Sequence, residues 1–420
     1  MKRFLFFSII LYFLVSNLAG QQILRWEEVI KEAKQKNPQL KQAEINLKQT
    51  ELKIKQAEAE FYPQVSFSFL AGKNYSKNYE SDINYSYNLS LGFTLFSGFS
   101  RINNLKLQLI ELQIMQENYR RIWVDLISNL RENFINLYYI QQETILARKI
   151  YERRKQNYEL VKLKYESGKE DLGALLRVEA DMLQSEYELR KAKREKELAV
   201  RELLRNIGRD DFLELNVEED FTVSGDVDEI LKKPIEELIK ETPEYKIKQY
   251  QLTKNKLQTK IAKSNFYPNV SISASYSLSD KKIIPDPDRW NLSLGLRLSY
   301  NIFNGFKDLN DLKIANINIK TAEFDLYDTK LSLINNFYSL RNSYIDDKEL
   351  LTIKEKYLQA LQKQAEITTV KYVNGLSTYY DWYQTEDSFI NAQKNLLSLK
   401  KELILSELRL KKFLGIADTH

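Results

Sequence analysis

The chain has 420 residues, of which only 12 are Gly and 7 Pro, while 26 Tyr and 20 Phe make it strongly aromatic; long uninterrupted elements follow. It has no Cys, and its single His is His420, the last residue, which excludes disulfides, thiolate nucleophiles, a lipidated N-terminal Cys and zinc or triad chemistry built on His. Against 63 basic and 58 acidic residues the formal charge of +5 is small, so no nucleic-acid partner is expected.

Residues 1–20 read as a secretory signal peptide: Lys2 and Arg3 are followed by a twelve-residue apolar run at 4–15, and Ala19 and Gly20 offer a cleavage site. That run is too short to span a bilayer, and no later segment approaches the ~18 apolar residues of a transmembrane helix. The exported chain is therefore expected to cross a membrane, if at all, by strands.

From residue 21 the sequence is written twice. Asn37-Pro38 is answered by Thr242-Pro243, Phe61-Tyr62-Pro63 by Phe266-Tyr267-Pro268, Phe96-Ser97-Gly98-Phe99 by Phe303-Asn304-Gly305-Phe306, Gly168 by Gly375, and Ile207-Gly208 by Leu414-Gly415. The first structural repeat is placed at 21–208, an acidic linker with a short strand over Phe212 to Val217 at 209–227, the second repeat at 228–415, and a tail at 416–420.

Each copy has one grammar. A first helix (26–60; 229–265) ends at Tyr-Pro, where proline disfavours the helical backbone. Two strands follow, at about 64–74 and 85–96, then at about 269–279 and 290–303. After the Phe-x-Gly-Phe turn comes a stretch without Gly or Pro, 99–167 and again 306–374, which as helix would reach roughly 100 Å. A Ser-Gly or Asn-Gly turn reverses it, and a last helix follows (171–206; 378–414). Stepping three and four alternately from Ile102 to Ile140 meets only Gln116 and Asn133 as polar residues, which is coiled-coil spacing; Ile114, Ile127 and Ile135 fall off this seam and predict neighbours on a second side. The short helices together match the long one in length, so the N-terminal, linker and C-terminal segments are expected to meet near its middle.

The strands alternate with period two: Tyr85, Tyr87, Leu89, Leu91, Phe93 and Leu95 oppose Ser86, Asn88, Ser90, Gly92 and Thr94, and Leu292, Leu294, Leu296 and Leu298 oppose Ser293, Gly295, Arg297 and Ser299. Each run has the ~10 residues, one apolar face and one small polar face of a transmembrane strand. A sheet packed on a soluble core would also alternate, but the long helices already use their apolar stripes. Four strands cannot close a barrel, and an open edge in lipid leaves backbone groups unsatisfied, so chains must pool strands; the arithmetic does not choose the number of chains.

In order and together, Leu24-x-Trp26-Glu27-Glu28-Val29, Asn37-Pro38-x-Leu40, the Tyr-Pro junctions, the Phe-x-Gly strand exits and the Tyr-x-x-Gly turns at 165–168 and 372–375 resemble the landmarks of the TolC-type outer-membrane efflux factor family. The resemblance covers essentially the whole mature chain. It implies a mainly α fold with transmembrane β, and a homotrimer in which a 12-stranded barrel in outer-membrane lipid continues into a 12-helix periplasmic tunnel. It implies the outer membrane of a Gram-negative-type bacterium, no catalytic activity and no cofactor. The function implied is an exit duct for efflux or secretion, working with a periplasmic adaptor and an inner-membrane pump or secretion ATPase.

It also implies a constriction just beyond the second-repeat turn. Asp381 matches an Asp that rings the gate and Tyr372 a Tyr that braces the closed state; Gln384 takes a second Asp position, Ser377 stands where a bracing Arg occurs, and Ala174 where the first repeat can carry Asp. Three carboxylates about an axis would repel one another and favour cations. Asp381 is equally placed to close a capping box with Thr378. Around the turns at Gly168 and Gly375, the residues Tyr379, Tyr380, Trp382 and Tyr383 either pack between helices or, with Ser377, form grooves for adaptor hairpins. The Asp and Glu residues make no metal spacing or catalytic pair, so an enzyme is not expected. An exported coiled-coil adaptor or structural scaffold would explain the helices and the export signal, but not four amphipathic strands matched across a duplication.

Overall fold

The computed structural model describes residues 22–73, 75–76, 79–80, 82–209, 215–219, 221 and 226–418; the signal peptide, residues 212–214 of the expected linker strand and His420 lie outside them. In chain order the elements are β1 (Gln22–Leu24), α1 (Trp26–Lys36), α2 (Pro38–Ala59), β2 (Gln64–Gly72), β3 (Tyr75–Ser76), β4 (Tyr79–Glu80), β5 (Asn84–Ser97), α3 (Ser100–Glu166), α4 (Leu172–Ile207), β6 (Leu215–Val217), α5 (Asp226–Ile230), α6 (Ile235–Glu241), α7 (Pro243–Ser264), β7 (Asn269–Asp280), β8 (Trp290–Ser299), α8 (Lys307–Val373) and α9 (Tyr379–Phe413).

Two expected helices are broken. The segment 26–60 divides at Asn37, whose backbone is extended (ψ 121°) because Pro38 follows it, and whose Oδ1 accepts from the N–H groups of Gln39 and Leu40 to cap α2. The segment 229–265 falls into three pieces, and Thr242, extended before Pro243, caps α7 through Tyr245 N–H. Pro in the first helical turn starts a helix rather than merely interrupting one. The second strand of the second repeat ends at Ser299, short of the expected 303.

Two units can be distinguished, residues 1–41, 122–239 and 333–420 forming one and residues 42–121 and 240–332 the other. In the first, α1, α4, α5, α9 and the later halves of the long helices bury Ile127, Leu130, Phe134, Ile135 and Leu137 of α3 and Tyr344 of α8. Ile127 and Ile135 lie off the seam yet are buried, as expected for a helix with neighbours on two sides. Arg131 gathers the segments predicted to meet. Its guanidinium lies 4.8 Å over Trp26 and 5.0 Å over Phe221, pairs with Glu219 in a bidentate contact (2.6 and 2.9 Å), and reaches Asp418 at 3.5 Å. Beside it β1 and β6 pair in parallel.

The second unit holds a four-stranded antiparallel sheet in the order β2-β5-β7-β8. Its apolar face runs in rows across the strands, such as Val65, Leu91, Ala274 and Leu294, or Phe67, Leu89, Tyr276 and Leu292. One expectation fails: the register shifts between Thr94 and Phe96, so Phe96, not Leu95, stands opposite Val270. On the α3 segment of this unit Ile102 and Leu109, both seam positions, are exposed.

Each strand exit places two successive residues in the left-handed region, Gly98 and Phe99 (φ 60° and 67°) and Gly305 and Phe306 (φ 70° and 64°). In both, the second Phe meets the first edge-on, Phe96 to Phe99 at 5.3 Å and Phe303 to Phe306 at 5.2 Å. At Gly98 a Cβ would lie 2.5 Å from the Ser264 carbonyl oxygen and 2.8 Å from Tyr267 Cβ. Gly98→Ala combines backbone strain with overlap and is expected to cost about 2–4 kcal/mol, read as a lowered thermal midpoint.

Candidate functional site

All predicted site residues cluster at the two turns that reverse the long helices, within the first unit. The turns are built alike. Gly168 and Gly375 sit at φ 70° and 75°; Lys169 N–H donates to the Lys164 carbonyl and Leu376 N–H to the Lys371 carbonyl, each at 2.8 Å, closing Schellman caps that only glycine fits without strain. The helices that follow are capped differently. Asp171 accepts from Ala174 N–H at 2.8 Å, whereas Thr378 accepts from Asp381 N–H at 3.1 Å and donates its own hydroxyl to Asp381 Oδ2 at 2.6 Å.

Asp381 therefore belongs to the cap, but by a variant of the expected box: its carboxylate takes the Thr378 hydroxyl rather than the backbone N–H of the capping residue. It stays exposed, on a groove of about 950 Å³ between α8 and α9 that Ser377, Gln384, Lys371 and Thr385 also line. Asp381 and Gln384 share that groove, while Tyr372 turns away into the helix packing.

Tyr372 is 2% exposed and stacks on Trp382 with ring centres 4.5 Å apart and planes within 9°. Its hydroxyl donates to Glu170 Oε2 at 2.6 Å, its carbonyl accepts from Lys164 Nζ at 2.8 Å, and the same ammonium lies 4.5 Å over its ring. Burial above all, then the Glu170 hydrogen bond and charge, pushes the Tyr372 phenol well above its ordinary pKa. The hydroxyl thus stays a donor from neutral pH through the usual tyrosine range near ~10.

Behind this pair is a network that no motif announced. Trp382 Nε1 donates to Thr369 Oγ1 (3.1 Å), whose hydroxyl donates to Glu386 Oε1 (3.0 Å). The Glu386 side chain, 2% exposed, is clasped by Arg153 through Nε (2.5 Å) and Nη2 (2.6 Å), with Asn157 at 3.4 Å. Next to it Arg154 pairs with Asp387 at 2.7 Å and approaches Asp181 at 3.8 Å. Arg177 donates to the Tyr383 hydroxyl at 2.8 Å through Nη2. From Glu170 through Tyr372, Trp382, Thr369 and Glu386 to Arg153, one continuous chain of side chains ties the first repeat to the second. The doublets Arg153-Arg154 and Glu386-Asp387 were its only sequence signal, complementary charges side by side on two helices.

The docking candidates divide. Trp382 is 1% exposed, so it offers no surface to a partner: Tyr372 and Thr369 already occupy its face and its N–H. Tyr379 is half-buried against Tyr383, Trp382 and Tyr372, and burial first, then the neighbouring Tyr383, pushes its phenol to about 12. Tyr380, in contrast, is 68% exposed, and Gly168, Gly375 and Ser377 also reach the surface.

Among the described residues no group of His, Asp or Glu has the arrangement of a metal site, and no helix is long and apolar enough to cross a membrane. A model of the family described as outer membrane efflux protein matches residues 29–209 and 235–416, one match per repeat. The chain is similar to the structure of CusC, with a TM-score of 0.84 and 18% identity over 93% of this chain and 92% of that one. It is similar to the outer membrane protein VceC of Vibrio cholerae, at 0.80 and 18% over 93% and 96%. The CmeC outer membrane channel of Campylobacter jejuni follows, at 0.82 and 15% over 93% and 85%. At these identities the likeness is one of fold. No curated protein sequence matches.

Proposed function

The chain belongs to the outer membrane efflux protein family, and from that premise we propose that three copies pool their strands into one barrel and their helices into one periplasmic duct. It is a channel of the outer membrane whose helical part lies in the periplasm, a conduit rather than an enzyme. The observation that carries the assembly is the open sheet. β2 and β8 are edges with no further strand beside them among the described residues, and the face bearing Val65, Phe67, Leu294, Leu296 and Leu298 is uncovered, Leu294 being 74% exposed. Lipid covers such a face, but lipid cannot satisfy the edges, which only further strands can pair. Three chains give the twelve strands that the family resemblance implies; a periplasmic adaptor and an inner-membrane pump complete the route.

The turns that reverse the long helices then form the gate of the duct. Three copies of Asp381 and Gln384 face one another in this reading, and the Tyr372–Glu170 hydrogen bond braces the second-repeat hairpin against the first. Tyr380, Ser377 and the two glycine turns make the surface that an adaptor meets, without Trp382.

Single-channel recording in planar bilayers tests both roles. Tyr372→Phe keeps the stacking on Trp382 but loses the bond to Glu170, and is expected to raise opening frequency about tenfold or more, since a buried hydrogen bond to a charged group contributes about 1.5–3 kcal/mol. Asp381→Ala is expected to weaken block by multivalent cations. Wild-type behaviour from both variants would refute the gate.

A further inference from the structure

The polar face of the sheet carries a single charge. Running across β2, β5, β7 and β8, its rows are Gln64, Gly92, Ser273 and Gly295; Ser66, Ser90, Ser275 and Ser293; Ser68, Asn88, Ser277 and Asn291; and Thr94, Ser271 and Arg297. Apart from Leu70, which stands opposite Ser86, serine, glycine, threonine and amides fill it, tied in places by bonds such as Ser66 Oγ to Ser90 Oγ at 2.7 Å. Arg297 breaks the pattern. It is exposed, and among the described residues it makes no hydrogen bond or ion pair.

Nor is a counter-charge at hand on this sheet. The one acid within these four strands is Asp280, which stands opposite Tyr85 on the other face, nine residues along β7 from the Ser271 that faces Arg297, about 30 Å away. Asp280 is itself engaged by the N–H groups of Lys281 and Asp286 and by Arg289. At the helix end of the sheet, Asp308 is taken up by Asn304 and Asn265. Ring closure sets β8 of one copy beside β2 of the next, because these are the two free edges, and β2 holds no acidic residue.

We propose that Arg297 is a specificity-determining residue of the channel: three copies form a cationic ring on the barrel's inner wall, two residues from the end of β8 that leads to α8, and there receive anionic groups of the cargo, carboxylate or phosphate. This rests on the three-chain reading above, which turns the polar face inward. The physical case is that a guanidinium presents a planar fork to carboxylate and phosphate, and that a ring of one sign in a low-dielectric wall focuses its field across the lumen. A wall otherwise made of small neutral side chains neither screens that charge nor competes for the anion.

The test is current block of the full-length channel in planar bilayers by tripolyphosphate, added from the barrel side. The wild type is expected to be blocked, more weakly at high salt. Arg297→Ser removes the charge from all three copies and should raise the half-blocking concentration at least about tenfold, the effect of losing a single charged hydrogen-bond contact. Arg297→Lys should stay nearer wild type, and Arg297→Glu should abolish block. Equal block of wild type, Arg297→Ser and Arg297→Glu overturns the proposal while leaving the channel standing. So does a trimer that loosens on Arg297→Ser while its surviving pores keep wild-type block, which would make Arg297 a contact between copies. A wild type that forms no pores overturns the channel reading itself.

Discussion

Glu386→Ala is expected to destabilise the periplasmic tip by about 3 kcal/mol and to make the channel leak. Removing one partner of a buried pair leaves the other charge uncompensated, which costs about 3–5 kcal/mol; Arg153 keeps 35% exposure, so the lower end applies. The loss also unties Thr369, and through it the N–H of Trp382, on which Tyr372 stacks. Thermal melting of Glu386→Ala, Arg153→Ala and the double variant reads the coupling: the two single losses should exceed the double when added, because each alone strands its partner. Glu386→Gln keeps an acceptor oxygen for Thr369 but sets an NH2 donor where Oε2 accepted from Arg153 and Asn157, and should fall between. An unchanged midpoint and unchanged conductance in Glu386→Ala would show that the network does not hold the tip.

A lysine on the lipid face should be more damaging still. Leu294 and Ser293 are neighbours in the middle of β8, but their side chains leave opposite faces. A lysine at the bilayer midplane costs about 2–4 kcal/mol per strand, and a trimer carries the change three times. Leu294→Lys is therefore expected to be lost from the outer-membrane fraction, whereas Ser293→Lys, pointing into the water-filled barrel, should insert at wild-type levels. Equal insertion of both would mean that the leucine face does not meet lipid.

The fold was legible wherever a residue's neighbours lie close in sequence. The period of the strands, the glycine turns and the glycine- and proline-free helices all follow from local rules, and the duplication doubled each signal. Asn37-Pro38 and Thr242-Pro243 are visible as landmarks but not as helix starts: a proline that opens α2 or α7 needs the preceding helix to end and a capping side chain to turn over. The shift at Leu95 was hidden, because alternation through a β-bulge looks unbroken until the partner strand is known.

The site was legible by position and not by partnership. Asp381, Gln384 and Tyr372 could be placed by counting from Gly375, but Tyr372 proved to be a buried strut on Glu170, and Trp382, for which packing and docking were both open, its stacking partner. Glu386 and Arg153 are 233 positions apart, on helices that meet only because the two repeats pack together. Charge on a helix face reads as solvated until that packing is known. Arg297 is the converse case, its significance coming from the neutrality of every residue that shares its face.

The most direct measurement is the mass of the detergent-extracted outer-membrane protein by light scattering, with the detergent contribution subtracted. Three chains per particle is the predicted result, since four strands with two free edges and an uncovered apolar face require partners of their own kind. A monomer or dimer, soluble without detergent, would contradict the account.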